Sequence, residues 1–342
     1  MGRPARNALA ENRCGPVGCG RVGPVPSVTA FHSLSTGARP RLRLSFSVLA
    51  FSLLVLPAFL RADSLRLKSA EIVTGAVQGL DGDKVVLSLP LGSGNAAVPY
   101  PLALVDAVTL DRTPAEEALL KGTPAPADLP AWRAFWGRRA PFLRLPGSDS
   151  GAVGLGLARL LLESDPAQAG TVAEAISGGD WNQARGQQAR AVALAALFAQ
   201  GRLQQAQDAV RTLLVGVTDP TARVDVRFVF GQMTLAQWNA FAAAHPQWRT
   251  IPSQSAAQNV LAERALDALA AAPVFLPGDA ARAGRGLLAA VAAAVAMDRS
   301  REAGTLLDDL LEAFPAAPQA AEAKALRARL DAAGLFTAAT SS

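Results

Sequence analysis

One stretch, Leu287–Ala333 (LLAAVAAAVAMDRSREAGTLLDDLLEAFPAAPQAAEAKALRARLDAA), limits the possible folds more than any other. Its apolar residues return at the i, i+3, i+4, i+7 spacing of a helix that buries one face. Leu287, Val291, Ala294 and Val295 make a first stripe. Ala303, Leu306, Leu307, Leu310 and Phe314 make a second, and Ala323, Leu326 and Leu330 a third. Three consecutive amphipathic helices are expected. Small residues let the first two approach closely, Asp298–Ser300 turns between them, and Pro315 stops the second because it lacks an N–H.

Ala303 in the first turn of the second helix and Pro315 twelve residues later give this stretch the outline of a tetratricopeptide repeat. Leu287, Ala290, Val291 and Ala294 stand at the contact positions of that unit's first helix, although its usual Trp, Gly and Tyr are absent. The resemblance implies stacked helical hairpins that bind a partner. It extends weakly over 150–335, where GDWNQA (179–184), GRLQQA (201–206) and DRSREA (298–303) repeat a turn ending on Ala.

The other helices read from local signals. Thr113, Pro114 and Glu116 form a capping box ahead of Leu120. Asp165 caps 166–176, Asp219-Pro220 opens 220–232, and helices are expected over 181–200, 203–215, 234–244, 255–271 and 279–296. Trp181, Ala184, Ala191, Leu194, Ala195 and Phe198 are placed inward. The alternation of Val224, Val226, Phe228 and Phe230 leaves a strand open as the alternative at 220–232.

Between Ser64 and Leu110 the period is two. Segments 65–68, 71–80, 84–89, 96–100 and 105–110 read as strands divided by Asp81-Gly82-Asp83 and Gly92-Ser93-Gly94-Asn95. Thr74-Gly75, Val77, the glycine turn and Val85-Val86-Leu87 resemble SH3-like or Sm-like small barrels, which implies a closed β module. An Sm-like module would imply RNA binding. Here Arg66, Lys68 and Lys84 face Glu71, Asp81, Asp83 and Asp106, and Tyr100 is the segment's one aromatic, so no stacking platform is expected.

The chain's net charge of +5 is concentrated at one end. Of 33 basic and 28 acidic residues, eight Arg and one Glu fall within 1–62, leaving 25 and 27 beyond. A near-neutral remainder gives nucleic acid no electrostatic footprint. Leu44–Leu60, preceded by Arg39, Arg41 and Arg43 and followed by Ala62, has the layout of a secretory signal cleaved near Ala62. The alternative is an uncleaved membrane anchor, although Pro57 and three Ser make the run marginal for a span. Residues 1–38 are Gly-, Pro- and Arg-rich without period, and the true translation start is expected near residues 28–40. Cys14 and Cys19 both fall in the leader, so disulfides and thiolate sites are not expected after it.

Candidate chemistry is sparse. His245 is the one histidine after the leader and precedes Pro246 at a helix end, where the dipole favours it. Asp308, Asp309 and Glu312 lie on a wet helix face. Gly151, Gly154 and Gly156 run through the stripe of Val153, Leu157, Leu160 and Leu161, which favours close helix packing over a phosphate loop. Trp132 and Trp136, with Phe135 and Phe142, form either a plug between domains or a sugar-stacking patch. Arg138, Arg139 and Arg144 suggest an anion site or a solvated interdomain edge.

The expected fold class is therefore mainly α: a helical-hairpin array preceded by a small β-barrel-like module. The domains are a leader over 1–62, the β module over 63–112, a linker with short helices over 113–150, the repeat domain over 151–335 and a disordered tail over 336–342. The expected function is an exported, non-catalytic scaffold binding a protein or peptide partner, without metal or cofactor. The alternative is a carbohydrate- or peptidoglycan-active protein using Trp132 and Trp136.

Overall fold

The computed structural model describes residues 62–122 and 124–334. The leader, with Leu44–Leu60 and both cysteines, and the tail over 336–342 lie outside the described residues.

Five strands open the described chain: β1 (Asp63–Leu67), β2 (Ile72–Asp81), β3 (Lys84–Leu91), β4 (Gly94–Pro101) and β5 (Val105–Thr109). They form one antiparallel sheet in the order β4-β3-β2-β1-β5. The expected closed barrel is corrected to an open sheet, because no ladder joins β4 to β5. Pro99 and Pro101 on β4 withhold N–H donors at that edge, which suits an edge strand and discourages further pairing. At the other edge the Val108 N–H donates to the Pro146 carbonyl, so a loop covers β5. Val85 and Leu87 alternate inward as expected, and with Leu65, Val105 and Val108 they pack around Phe142. Phe142 sits in a 3-10 turn, Ala140–Phe142, among the helical residues, so the sheet's core is completed from the helical side.

Twelve α-helices follow. They are α1 (Pro114–Lys121), α2 (Leu129–Arg139), α3 (Ser150–Ser164), α4 (Pro166–Gly179), α5 (Gln183–Ala199) and α6 (Leu203–Gly216). Then come α7 (Pro220–Ala244), α8 (Pro252–Leu269), the short α9 (Ala272–Phe275), α10 (Ala280–Ala296), α11 (Ser300–Ala313) and α12 (Ala320–Ala332). The antiparallel neighbours α3/α4, α5/α6, α7/α8 and α10/α11 are hairpins, and α5 also packs on α3 and α7. The capping box at α1 is present in full: Thr113 Oγ1 accepts the Glu116 N–H, and the Glu116 carboxylate accepts the Thr113 N–H.

The expected helices at 220–232 and 234–244 are one helix, α7, and not a strand. Val224, Val226, Val229, Met233 and Trp238 are all buried, because α5 and α8 flank α7 on two sides. A helix buried on two sides loses its clean 3.6-residue stripe, so its sequence imitates alternation. Gly231 does not break it; a Cβ there would lie 2.7 Å from the Leu269 side chain, so the glycine admits the end of α8.

Two placements within the array are also corrected. Val295 is exposed, and Ala290 and Ala293 are buried beside Val291 and Ala294 in its stead. Trp181 and Ala184 are exposed, since α5 begins only after the Asn182 cap. Of the three similar turns, only two match. Gly201 and Asp298 both take positive φ, and both are followed by the same pair of backbone hydrogen bonds closing the preceding helix. GDWNQA instead ends α4, and its Asp180 forms a half-buried ion pair with Arg185 just beyond it (2.7 Å).

Candidate functional site

The last two hairpins create a cleft of about 510 Å³ between α8 and α11. Its floor is apolar: Leu266 of α8, Ala270 at the C-terminal cap of that helix and Leu306 of α11, each half-buried. Leu306 can lie there because Leu307 and Leu310, the next positions on α11, take the fully buried face. The rim carries both signs of charge, Glu263, Asp267 and Glu302 against Arg299 and Arg301. Arg299 is held by Glu302 at 3.6 Å and by Asn259 Oδ1 at 3.3 Å.

Asp267 also borders a second cleft, about 300 Å³, with Leu214, Phe230, Arg227 and Arg264. Arg227 packs over the Phe275 ring at 4.7 Å, and its Nε is buried without a hydrogen-bond partner. Asp267 lines both clefts, the first between α8 and α11 and the second between α6, α7 and α8.

The tryptophans are placed by glycines. A Cβ on Gly154 would come within 2.6 Å of the Trp136 ring, and one on Gly156 within 2.3 Å of the Trp132 ring. The glycines of α3 therefore serve close helix packing, which answers the phosphate-loop alternative. Trp132 is only 2% exposed, so the Trp132/Trp136 pair presents no open double platform to a sugar. Trp132, Phe135 and Trp136 pack within the helical core, and Phe142 alone of the four joins the core of the sheet.

Arg139 is buried rather than at a solvated edge. Its guanidinium donates to the Asp111 carbonyl, reaches Glu116 at 3.5 Å and stands 3.7 Å from Asp149. Arg138 donates to the other Glu116 oxygen. Burial alone would raise the Glu116 pKa; hydrogen bonds from Arg138 and Thr113, with the charge of Arg139, hold it below the usual carboxylate range. These arginines thus tie the sheet, α1 and α2 together.

His245 caps the end of α7, its ring 4.5 Å from that of Phe241 and its Nδ1 3.5 Å from Gln254. Asp308 on the wet face of α11 accepts from Arg327 of α12, which also reaches Asp331 at 3.3 Å. Asp309 and Glu312 are exposed on the same face. Among the described residues no group of three or more His, Cys, Asp or Glu side chains is arranged to hold a metal, and no helix is long and apolar enough to cross a membrane.

Two constellations were missed in the sequence. Gln187 of α5 is buried and clasps the α6–α7 turn. The other is a charge cluster in which Asp225 of α7 meets Arg282 and Arg285 of α10 and Arg159 of α3. A polar residue on the apolar face of an Ala-rich helix marks Gln187; nothing local marks the second, whose members come from three separated segments.

No family model, curated protein or solved structure matches this chain.

Proposed function

We propose that the chain is an exported, non-catalytic scaffold whose helical hairpins, of tetratricopeptide-like kind, bind an extended segment of a protein or peptide partner along α8 and α11. The observation that supports this reading is the α8–α11 cleft: a floor of Leu266, Ala270 and Leu306 under a rim of both charge signs. Apolar floors contribute burial, and mixed rims give register and selectivity along a chain. The like turns at Gly201 and Asp298 support a repeated hairpin. The open five-stranded sheet is read as a docking or structural unit, and the leader as the export signal.

A photo-activatable residue in place of Thr305, beside the floor, tests the binding in cells producing the full chain. A discrete cross-linked partner is expected from Thr305, lost with Leu306→Arg, and none from a probe at the exposed Glu322 of α12. Absence of an adduct at Thr305, or an adduct unaffected by Leu306→Arg, would overturn the reading. Export is tested by the N-terminus of the recovered protein, expected at or near Asp63.

A further inference from the structure

We propose that Arg159, Arg282 and Arg285 form a second binding site, for a carboxylate group of an acidic peptide segment, on helices α3, α7 and α10. It is separate from the α8–α11 cleft and does not depend on it.

The chain brings three guanidiniums to one carboxylate. Arg282 donates to Asp225 from Nε at 3.1 Å and from Nη2 at 3.4 Å, and Arg285 donates to the same side chain at 2.9 Å. Arg159 stops short: its Nη2 is 3.8 Å from Asp225 Oδ2, shielded from solvent and without a hydrogen-bond partner. The one other acid of the cluster, Asp279, is taken by Arg282, whose backbone N–H (3.0 Å) and guanidinium both donate to it. Three cations against two anions leave one positive charge in excess.

That excess is fixed in place and reachable. The Arg285 guanidinium lies 4.3 Å from the centre of the Phe228 ring, which restricts its rotamers before any ligand arrives. The Arg285 side chain is 46% exposed and that of Arg159 38%. Burial pulls the Arg159 pKa down; Asp225 works against this, while Arg282 and Arg285 add to the lowering by repulsion. An incoming carboxylate beside Asp225 would accept from the exposed side of the Arg285 guanidinium and meet the solvent-facing part of Arg159, neutralising the surplus in a charge-assisted geometry that guanidinium suits. A single negative charge matches a single excess positive charge. A dianionic phosphate would meet Asp225 with twice the repulsion, which is the reason for choosing carboxylate.

The test is fluorescence anisotropy of a labelled hexaglutamate peptide on the purified protein, with hexaglutamine as control. Saturable binding to hexaglutamate alone is expected, weakened at least tenfold by Arg159→Gln and by Arg285→Gln. Asp225→Asn removes the internal competitor and should tighten binding at least threefold. A mere structural staple would show no binding, or a loss with Asp225→Asn that parallels the arginine variants; either result overturns the proposal. If Arg159→Gln fails to fold by circular dichroism, the more exposed Arg285→Gln decides alone. Stronger competition by inorganic phosphate than by acetate at equal ionic strength would overturn the carboxylate assignment. Leu306→Arg should leave this binding unchanged, which separates it from the α8–α11 reading.

Discussion

Gly201 and Asp298 hold the same left-handed backbone position, φ +71° and +63°, at the ends of α5 and α10. In each case the next residue's N–H reaches back into the helix, Arg202 to the Leu197 carbonyl and Arg299 to the Ala294 carbonyl. The residue itself donates to Phe198 in one turn and to Val295 in the other, which completes a Schellman closure. Glycine has no Cβ to clash in this conformation, and Asp is among the few other residues that tolerate it. Asp298→Ala should therefore cost about 1 kcal/mol, and Asp298→Gly should stay within about 0.5 kcal/mol of the parent. Equal losses in urea denaturation would show that backbone conformation does not govern this turn.

Leu307 is fully buried between α10 and α12, whereas Asp308 accepts from Arg327 at the surface. Leu307→Ala should cost ~2–5 kcal/mol through lost transfer energy and the cavity left behind. Asp308→Ala should change stability by less than about 1 kcal/mol, as exposed ion pairs do. Chemical denaturation of both variants, compared with the parent, checks the helical phase of α11.

Gln187 Oε1 accepts the backbone N–H groups of Thr218 (2.8 Å) and Asp219 (2.7 Å), and its Nε2 donates to Thr218 Oγ1 at 3.0 Å. Gln187→Leu fills similar space but removes the acceptor. Each backbone N–H left unpaired costs ~1–3 kcal/mol, so a loss of about 2 kcal/mol or more is expected. Hydrogen exchange at Thr218 and Asp219 should accelerate before global unfolding; unchanged protection there would refute the latch.

Glu116 links Arg138 and Arg139 beneath the sheet, and its folded pKa lies below its unfolded value. A depressed carboxylate contributes stability that is fully present above the unfolded pKa, about 4.3, and is lost as pH falls through the folded pKa. Glu116→Gln should lower stability at pH 7 by about 2 kcal/mol or more, since it leaves Arg139 poorly compensated where it is buried. The gap between parent and variant should narrow steadily below about pH 4. A pH-independent gap in thermal melts would show that the charge of Glu116 is not what matters.

The local signals in this sequence determined most of the elements. Thr113 and Glu116 specify their helix because a capping box needs only four consecutive residues. Asp165 and Asp219 each accept an N–H three residues on, as expected of caps, and Asp279, read as the first helical residue, is the cap of α10 in the same way. Leu287, Ala303, Leu307 and Leu310 are buried because a one-sided stripe can bury only one way. Where burial comes from two sides, that logic fails, and α7 read as two pieces or a strand.

Tertiary structure decided the rest. Whether five strands close or stay open depends on twist and on what covers the edge at β5, here the Pro146 carbonyl, far along the chain. Trp132 and Trp136 pack into the helical core only because Gly154 and Gly156 on another helix leave room for the rings. The α8–α11 cleft and the meeting of Arg159, Asp225, Arg282 and Arg285 arise from the stacking of separate hairpins. Side-chain periodicity tells which face of each helix is buried; it carries no information on which distant helix shares that face, and both sites are made of that pairing.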